Sequence, residues 1–213
     1  MNEIKVFGHK NPDLDSVASA FAASYLLSKR DGLNYIPCLL GDINKEAKYV
    51  VDTYDIDLNM KIINKVEDGE EVGLVDHNEF KQSVDNIENA DIKIVIDHHK
   101  IDNFKTKNPL EFIAKPVGCT CTILYTMLES MNLLDNKEVN ILMLAAILSD
   151  TLILKSPTVT DLDREVVEKL SELLDIDYKT FGLALLKAGA DLSDLTKEQL
   201  AKVDSKVFET HRT

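Results

Sequence analysis

Short apolar runs alternate along the chain with longer segments in which apolar residues recur at helical spacing. The runs are rich in β-branched residues and mostly continuous, which is typical of strands covered on both faces of a parallel sheet. The predicted strands are residues 4–7, 35–40, 62–63, 72–75, 92–96 and 111–114. The predicted helices are residues 17–29, 44–54, 119–131, 137–150, 161–174 and 177–189, with a last short helix from Thr196. We therefore predict a three-layer α/β domain with a mainly parallel β-sheet flanked by helices.

Several local signals refine these elements. Pro37 indicates that the second strand lies at an edge of the sheet, because proline cannot donate a hydrogen bond to a neighbouring strand. Asp15 or Ser16 is the expected cap of the first helix, and Thr120 is a possible cap of the third. The free N–H groups at the start of that third helix could also bind an anion, although plain capping is favoured. Residues 151–158 are predicted to be an extended segment.

Composition indicates an ordinary globular protein. The 213 residues are 45% hydrophobic and 29% charged, which is enough for one sizeable domain. The net charge of −13 argues against an extended nucleic-acid surface, but not against an anionic substrate held by bound cations. Three cysteines, Cys38, Cys119 and Cys121, form no disulfide framework and are expected to be packing thiols. With no apolar signal region and no run of about 18 apolar residues, we expect a cytoplasmic protein that binds no membrane.

Acidic residues and histidines follow several apolar elements at the point where each one ends. They are His9, Asp13 and Asp15 after the first strand, Asp76 and His77 after the fourth, Asp97, His98 and His99 after the fifth, and Asp150 at the end of helix 137–150. Ligands bind beyond the carboxyl ends of parallel strands, so these side chains are expected to meet at one edge of the sheet. Turn formation and helix capping remain an alternative role for Asp13 and Asp15.

Six of these side chains form a candidate site for two metal ions. They are His9, Asp13, Asp15, Asp76, His98 and Asp150. Four carboxylates balance the charge of two divalent cations, whereas without cations they would repel one another. Oxygen donors with some imidazole favour Mn²⁺, Co²⁺ or Mg²⁺ over thiophilic ions, although the affinity order alone favours zinc. We expect His77 to position its neighbours rather than to bind metal.

Four motifs resemble those of the DHH phosphoesterase superfamily, and more narrowly those of the manganese-dependent (family II) inorganic pyrophosphatases. The motifs are GHKNPDLDS at residues 8–16, VDHNE at 75–79, IDHH at 96–99 and LSDT at 148–151, with KSPT following at 155–158. The resemblance implies that one Mn²⁺ is held by His9, Asp13 and Asp76, and the other by Asp15, Asp76, His98 and Asp150, with Asp76 as the bridge. It also implies that His99 contacts the substrate phosphate or assists proton transfer, that Asp97 orients its neighbours, and that the protein is a homodimer.

The activity implied by the resemblance is hydrolysis of inorganic pyrophosphate to two phosphates by a hydroxide bridging two Mn²⁺ ions. Family members carry a second, C-terminal domain with basic residues that grip the substrate, and no part of this sequence corresponds to it. We therefore expect residues 1–190 to be the catalytic domain, residues 191–213 to be a linker or short helix, and activity to be reduced or lost. The nearest lysines in sequence are Lys100, Lys115 and Lys155, of which Lys155 is our candidate for substrate binding.

Two other functions remain open at this stage. One is a DHH phosphodiesterase that cleaves short oligonucleotides or cyclic dinucleotides, although the sequence lacks the glycine-rich motif expected of that branch. The other is a non-catalytic dimerisation module that retains the metal site.

Overall fold

Six parallel strands form one sheet at the centre of the fold. The structure is a computed structural model that describes residues 3–191. The strands are β1 (Glu3–Phe7), β2 (Asn34–Leu39), β3 (Lys61–Ile62), β4 (Glu71–Val75), β5 (Asp91–Asp97) and β6 (Glu111–Ala114). Their order is β3-β2-β1-β4-β5-β6, and each neighbouring pair is parallel. The predicted α/β class with a mainly parallel sheet is confirmed.

In the described part of the chain, six α-helices accompany the sheet. They are α1 (Leu14–Asp31), α2 (Lys45–Tyr54), α3 (Thr120–Ser130), α4 (Lys137–Asp150), α5 (Asp161–Leu174) and α6 (Tyr178–Ala190). The middle of α4 is buried on all sides because α1, α3, α5 and α6 pack around it. The helix predicted from Thr196 lies outside the described residues, as does the predicted linker of residues 191–213 apart from Asp191.

The two faces of the sheet are covered differently. On one face Ile4, Val6 and Ile96 pack against the helices in the larger apolar core. On the other face Phe7 and Val95 belong to a smaller core, which is closed by loop segments and by two short 3₁₀ helices, Phe80–Gln82 and Ile87–Asn89. Both faces are therefore covered, which explains why the central strands are continuously apolar.

Two local predictions were wrong in part. Helix α1 begins at Leu14, and its cap is Asp13, whose carboxylate accepts a hydrogen bond from the Ser16 N–H at 3.0 Å. Because the helix begins before the predicted start at residue 17, Asp15 lies inside its first turn and does not cap it. Strand β2, which contains Pro37, lies between β1 and β3 and is not the edge of the sheet. Proline is tolerated because β3 pairs with β2 only beyond it, at Cys38 and Leu39.

The prediction of an extended segment at residues 151–158 was wrong. Leu152, Ile153 and Leu154 have φ angles of 49°, 56° and 61°, so they form a left-handed turn directly after α4. Such a conformation costs about 1–2 kcal/mol for each residue other than glycine. It is held in place because Ile153 is buried against α6, where a Cβ atom on Gly182 would lie 2.8 Å from the Ile153 side chain. The Thr151 carbonyl closes the turn by accepting the Lys155 N–H at 2.9 Å.

The strand order reverses between β1 and β4, and this reversal determines where a ligand can bind. From β1 the chain first builds the sheet in one direction through β2 and β3, then continues on the other side of β1 with β4, β5 and β6. A crevice opens between neighbouring strands at such a reversal, beyond their carboxyl ends. Within residues 3–191, no helix combines the length and the apolar character that crossing a membrane requires.

Candidate metal centre

Three neighbouring strands deliver their polar residues to the crevice at the strand-order reversal. His9 follows β1, Asp76 follows β4 and His98 follows β5. Helix α1 starts close to the end of β1 because Gly8 has no side chain. A Cβ atom on Gly8 would lie only 1.9 Å from the Ser16 hydroxyl oxygen. This close approach brings the first turn of α1 to the same edge of the sheet.

The six side chains predicted to bind metal lie in two adjoining clusters. In the first cluster, the Nε2 atom of His9 lies 3.4 Å from Asp13 Oδ2 and 3.5 Å from Asp76 Oδ2. The second cluster contains Asp15, His98 and Asp150, whose potential ligand atoms all lie within 4.8 Å of one another. Each cluster has the size and donor types of a site for one divalent cation.

Asp76 belongs to both clusters through its two carboxylate oxygens. Its Oδ2 atom faces His9, whereas its Oδ1 atom lies 3.5 Å from His98 Nε2. Asp76 has a positive φ angle of 57°, and its N–H donates to the Ile96 carbonyl at 3.0 Å, so the residue turns sharply at the end of β4. The Thr120 hydroxyl donates to Oδ1 at 3.2 Å. These contacts hold the carboxylate between the two histidines.

The three histidines at the site have their Nδ1 atoms next to hydrogen-bond acceptors. His9 Nδ1 lies 2.8 Å from the Lys10 carbonyl, and His98 Nδ1 lies 3.0 Å from the Val117 carbonyl. His99 Nδ1 lies 2.9 Å from Asp97 Oδ1. When Nδ1 carries the proton of a neutral imidazole, Nε2 is left with a lone pair, which is the arrangement of a metal-binding histidine oriented by a second hydrogen bond.

The start of α3 binds an anion, and that anion is the carboxylate of Asp15. The Thr120 N–H donates to Asp15 Oδ2 at 2.7 Å, and the Cys121 N–H donates to Oδ1 at 3.1 Å. Thr120 is therefore the first residue of the helix and not its cap, contrary to our prediction; Cys119 occupies the cap position and makes no side-chain capping bond. The helix start therefore binds an anionic group, which was the less favoured of the two expectations, and that group is a residue of the candidate metal centre.

The electrostatics of the centre favour cation binding. Burial, followed by the charges of Asp15, Asp13 and Asp150, raises the pKa of Asp76 well above its usual range. Burial and the charges of Asp15 and Asp13 likewise raise the pKa of Asp150. Carboxylates that are costly to ionise together become stable as anions when divalent cations lie between them.

A further group of potential ligands lies beneath the centre, where Cys119 and Cys121 approach Asp15. Both cysteines are fully buried. Burial is the main cause that raises the pKa of both thiols well above the usual value, and the nearby Asp15 raises it further. Both cysteines belong to the larger apolar core, as expected of packing thiols.

His99 is held by a chain of hydrogen bonds that begins at Asn78. The Asn78 amide donates to Asp97 Oδ2 at 2.6 Å, and Asp97 Oδ1 accepts the backbone N–H of His99 at 3.0 Å. The bond to Asp97 is the main cause that raises the pKa of His99, and it outweighs the opposing effect of burial. The carboxylate of Asp97 thus orients the imidazole of His99 and favours its charged form.

The remaining predicted site residue of ligand type, His77, belongs to none of the groups of potential metal ligands. His77 is buried, its Nδ1 atom lies 2.8 Å from the Val75 carbonyl, and its ring lies near Phe7. Burial lowers the pKa of His77 to about 4, so the ring is neutral. Lys100, Lys115 and Lys155 are exposed. A cavity of about 430 Å³ adjoins the candidate metal ligands, and its lining includes none of the three lysines.

The cavity and its supports contain residues that the sequence analysis missed. The lining is formed by Asp13, Asp76, His98, His99, Val117, Gly118, Asp150, Ser156 and Thr158. Behind it, the buried carboxylate of Asp163 accepts hydrogen bonds from the Gly118 N–H at 2.9 Å and from the Thr122 hydroxyl at 2.6 Å. In the sequence, Asp163 lies near the start of a predicted helix, where a carboxylate indicates only helix capping. Ser156 and Thr158 belong to the KSPT segment at 155–158, but the left-handed turn that brings them to the cavity has no glycine to signal it.

Comparison with known proteins finds a matching family and several similar sequences. Residues 3–149 match the family described as "DHH family, N-terminal domain". The probable manganese-dependent inorganic pyrophosphatase of Oceanobacillus iheyensis is 49% identical over 203 residues, which cover 95% of this chain and 65% of that protein. The manganese-dependent inorganic pyrophosphatase of Bacillus subtilis is 44% identical over 208 residues, covering 98% of this chain and 67% of that protein.

One solved structure is similar to this chain in both fold and sequence. It is the crystal structure of a putative family II inorganic pyrophosphatase from Methanococcus jannaschii, with a TM-score of 0.78 and 38% identity. The match covers 88% of this chain and 61% of the other. The chain thus spans about two thirds of the length of the relatives that it matches.

Proposed function

Because this chain belongs to the DHH family, among its manganese-dependent inorganic pyrophosphatases, we propose that it binds two Mn²⁺ ions and hydrolyses inorganic pyrophosphate to two phosphates. The ligands of one ion are His9, Asp13 and Asp76. The ligands of the other are Asp15, Asp76, His98 and Asp150. The names of the relatives support manganese and pyrophosphate, and the donor set of carboxylates and imidazoles fits such an ion.

The observation that carries the proposal is the position of Asp76 between the two histidines. Its Oδ2 atom lies 3.5 Å from His9 Nε2, and its Oδ1 atom lies 3.5 Å from His98 Nε2. A neutral Nε2 atom and a carboxylate oxygen are both acceptors, so they approach each other favourably only around a shared proton or cation. Asp13 adds a negative charge to the cluster that contains His9, and Asp15 adds one to the cluster that contains His98.

The side chains around the centre have distinct roles in this proposal. When bound, a pair of divalent cations supplies a water molecule of lowered pKa and stabilises the charge that develops during phosphoryl transfer. Asp97 holds the Nδ1 atom of His99, so that Nε2 is the ring atom free to contact the substrate. When Nε2 carries a proton, it can donate that proton to the leaving phosphate.

The charge of the cavity predicts that this chain turns over pyrophosphate slowly. Pyrophosphate carries several negative charges, and the metal ligands already neutralise two divalent cations. Among the described residues, the lining of the cavity contains no lysine and no arginine. Additional cations are needed to bind such a substrate well, so we expect weak substrate binding and low activity.

Titration with Mn²⁺ and an assay of phosphate release test the proposal. The protein, freed of metal with a chelator, is titrated by calorimetry while phosphate release from pyrophosphate is followed. We expect two Mn²⁺ ions per chain, slow hydrolysis by the wild type, and loss of both in Asp76→Asn. The matched control is Asp52→Asn, which removes an exposed carboxylate on α2 and should change neither result.

Three outcomes would contradict the proposal in different ways. Hydrolysis of a cyclic dinucleotide in preference to pyrophosphate would favour a phosphodiesterase. Equal phosphate release by wild type and Asp76→Asn would favour a non-catalytic module. Turnover of pyrophosphate at the rate typical of a full-length relative would refute the expectation of low activity. The homodimer implied by the resemblance stays a prediction, which sedimentation of the Mn²⁺-loaded protein tests.

A further inference from the structure

The left-handed turn after α4 brings two hydroxyl groups to the cavity beside the candidate metal centre. Asp150 ends α4, and the turn at Leu152–Leu154 reverses the chain immediately afterwards. The Thr151 carbonyl accepts the Ser156 N–H at 2.8 Å, which fixes the point at which the chain returns. As a result Ser156 and Thr158 line the same cavity of about 430 Å³ as Asp150.

The two hydroxyl groups form a pair that still has a proton to donate. Ser156 Oγ and Thr158 Oγ1 lie 2.7 Å apart, and Ser156 Oγ also accepts the Thr158 N–H at 3.3 Å. Each hydroxyl has one proton, and the bond between them uses only one of the two. Whichever oxygen donates within the pair, the other hydroxyl can donate to a molecule in the cavity.

Among the described residues that line the cavity, Ser156 and Thr158 are the ones that carry hydroxyl groups. The other polar lining residues are carboxylates and histidines, and the N–H of Gly118 already donates to Asp163. The neighbouring Lys155 and Pro157 are exposed and do not belong to the lining of the cavity. An anion held over the metal centre would therefore meet Ser156 and Thr158 on this side.

We propose that Ser156 and Thr158 bind the terminal oxygens of a phosphoryl group that lies over the candidate metal centre. This inference rests on the proposed function, and it places a substrate contact on the hydroxyl pair and not on Lys155. A hydrogen bond from a neutral hydroxyl to a phosphoryl oxygen adds affinity without adding charge. It also favours tetrahedral oxyanions, which present several acceptor oxygens to the wall.

The test measures binding of imidodiphosphate, a non-hydrolysable analogue of pyrophosphate, to the Mn²⁺-loaded protein by calorimetry. We expect Ser156→Ala combined with Thr158→Val to weaken this binding about 10- to 100-fold, which is the range for one or two hydrogen bonds to a charged group. Binding of Mn²⁺ alone should be unchanged. The single variant Thr158→Ser, in which Ser156 is intact, keeps both hydroxyl groups and should retain most of the affinity for imidodiphosphate.

The control variant is Lys155→Ala, which we expect to change the affinity for imidodiphosphate less than twofold. Equal analogue binding by the wild type and the double variant would overturn the inference while leaving the proposed function in place. A parallel loss of Mn²⁺ binding in the double variant would also overturn it, since the hydroxyls would then support the metal and not the anion. Absence of Mn²⁺ binding by the wild type would overturn the proposed function, and the subsite with it. Because Thr158 is exposed, Thr158→Val alone gives the same test if the double variant does not fold.

Discussion

Asp76→Asn should remove most of the stabilisation that Mn²⁺ gives to the folded protein. Each carboxylate oxygen of Asp76 faces a different histidine, so one substitution weakens both proposed metal sites. A ligand at a hundred times its dissociation constant stabilises the native state by about 2.7 kcal/mol per site. Two independent sites would therefore add about 5 kcal/mol to the wild type, and we expect Asp76→Asn to gain less than half of that.

Urea unfolding followed by circular dichroism measures this difference. Each protein is unfolded once with excess Mn²⁺ and once with a chelator, and the two unfolding free energies are compared. Asp52→Asn serves again as the control, because its exposed side chain lies outside both clusters. The reasoning would be refuted if Asp76→Asn gained as much stability from Mn²⁺ as the wild type does, or if Asp52→Asn lost the gain.

The metal-free proteins provide a second, independent comparison. Burial and neighbouring carboxylates raise the pKa of Asp76 in the folded state. A carboxyl group with a raised folded pKa contributes its full stability below its unfolded pKa of about 4, and this contribution is lost as the pH rises through the folded value. In the presence of a chelator, the wild type should therefore become less stable relative to Asp76→Asn as the pH rises from 4 to 8. An equal pH dependence of the two proteins would contradict the proposed repulsion.

Three further substitutions test the supports of the site by urea unfolding. Asp163→Ala should lower the unfolding free energy by about 3–4 kcal/mol, since it leaves the Gly118 N–H and other buried donors unpaired. The control is Asp161→Ala on the same helix, which removes an exposed side chain and should lower the unfolding free energy by under about 1 kcal/mol. Leu152→Asn should stabilise the protein by about 0.5–1 kcal/mol, because asparagine tolerates the left-handed conformation and the replaced side chain is 53% exposed. Destabilisation by this substitution would contradict the backbone strain assigned to the turn. The folded pKa of His77 is about 4 and its unfolded pKa is 6.5, so protonation favours the unfolded state. As the pH falls from 6.5 to 4, the unfolding free energy of the wild type should therefore decrease by about 3 kcal/mol relative to that of His77→Phe. Parallel pH profiles of the two unfolding free energies would refute this.

The meeting of the proposed metal ligands at one edge of the sheet could be predicted from sequence, because they adjoin strongly patterned elements. A parallel sheet gathers the carboxyl ends of its strands at one edge, so His9, Asp76 and His98 were expected together without knowledge of the strand order. The order itself depends on contacts between distant segments, and the local pattern does not encode it. For that reason Pro37 was assigned to an edge strand. In the structure, β2 pairs with β1 on one side, and on the other side only residues 34–37 of β2 have no partner in β3.

The supports of the ligands were harder to predict, because their partners lie far away in the chain. Asp15 accepts hydrogen bonds from the start of α3, which lies 105 positions away in sequence. Asp163 reaches Thr122 across 41 positions. A carboxylate near the start of a helix is usually a cap, and for Asp163 that reading holds in part, since its side chain also accepts the Thr160 N–H of the capping box. The second role of each residue becomes visible only when the helices have packed.

The left-handed turn shows why the least regular part of the fold adjoins the candidate centre. Three residues without glycine in a left-handed conformation cost about 1–2 kcal/mol each, so an unconstrained chain would leave this geometry. Here the buried Ile153, packed against Gly182, prevents it from relaxing. Asp76, the residue that joins the two clusters, also has a positive φ angle. Strain of this kind persists where the surrounding packing fixes it, and it commonly marks positions selected for function. The turn leads directly from Asp150 to Ser156, so the same strained geometry positions both a proposed metal ligand and the proposed phosphoryl contact.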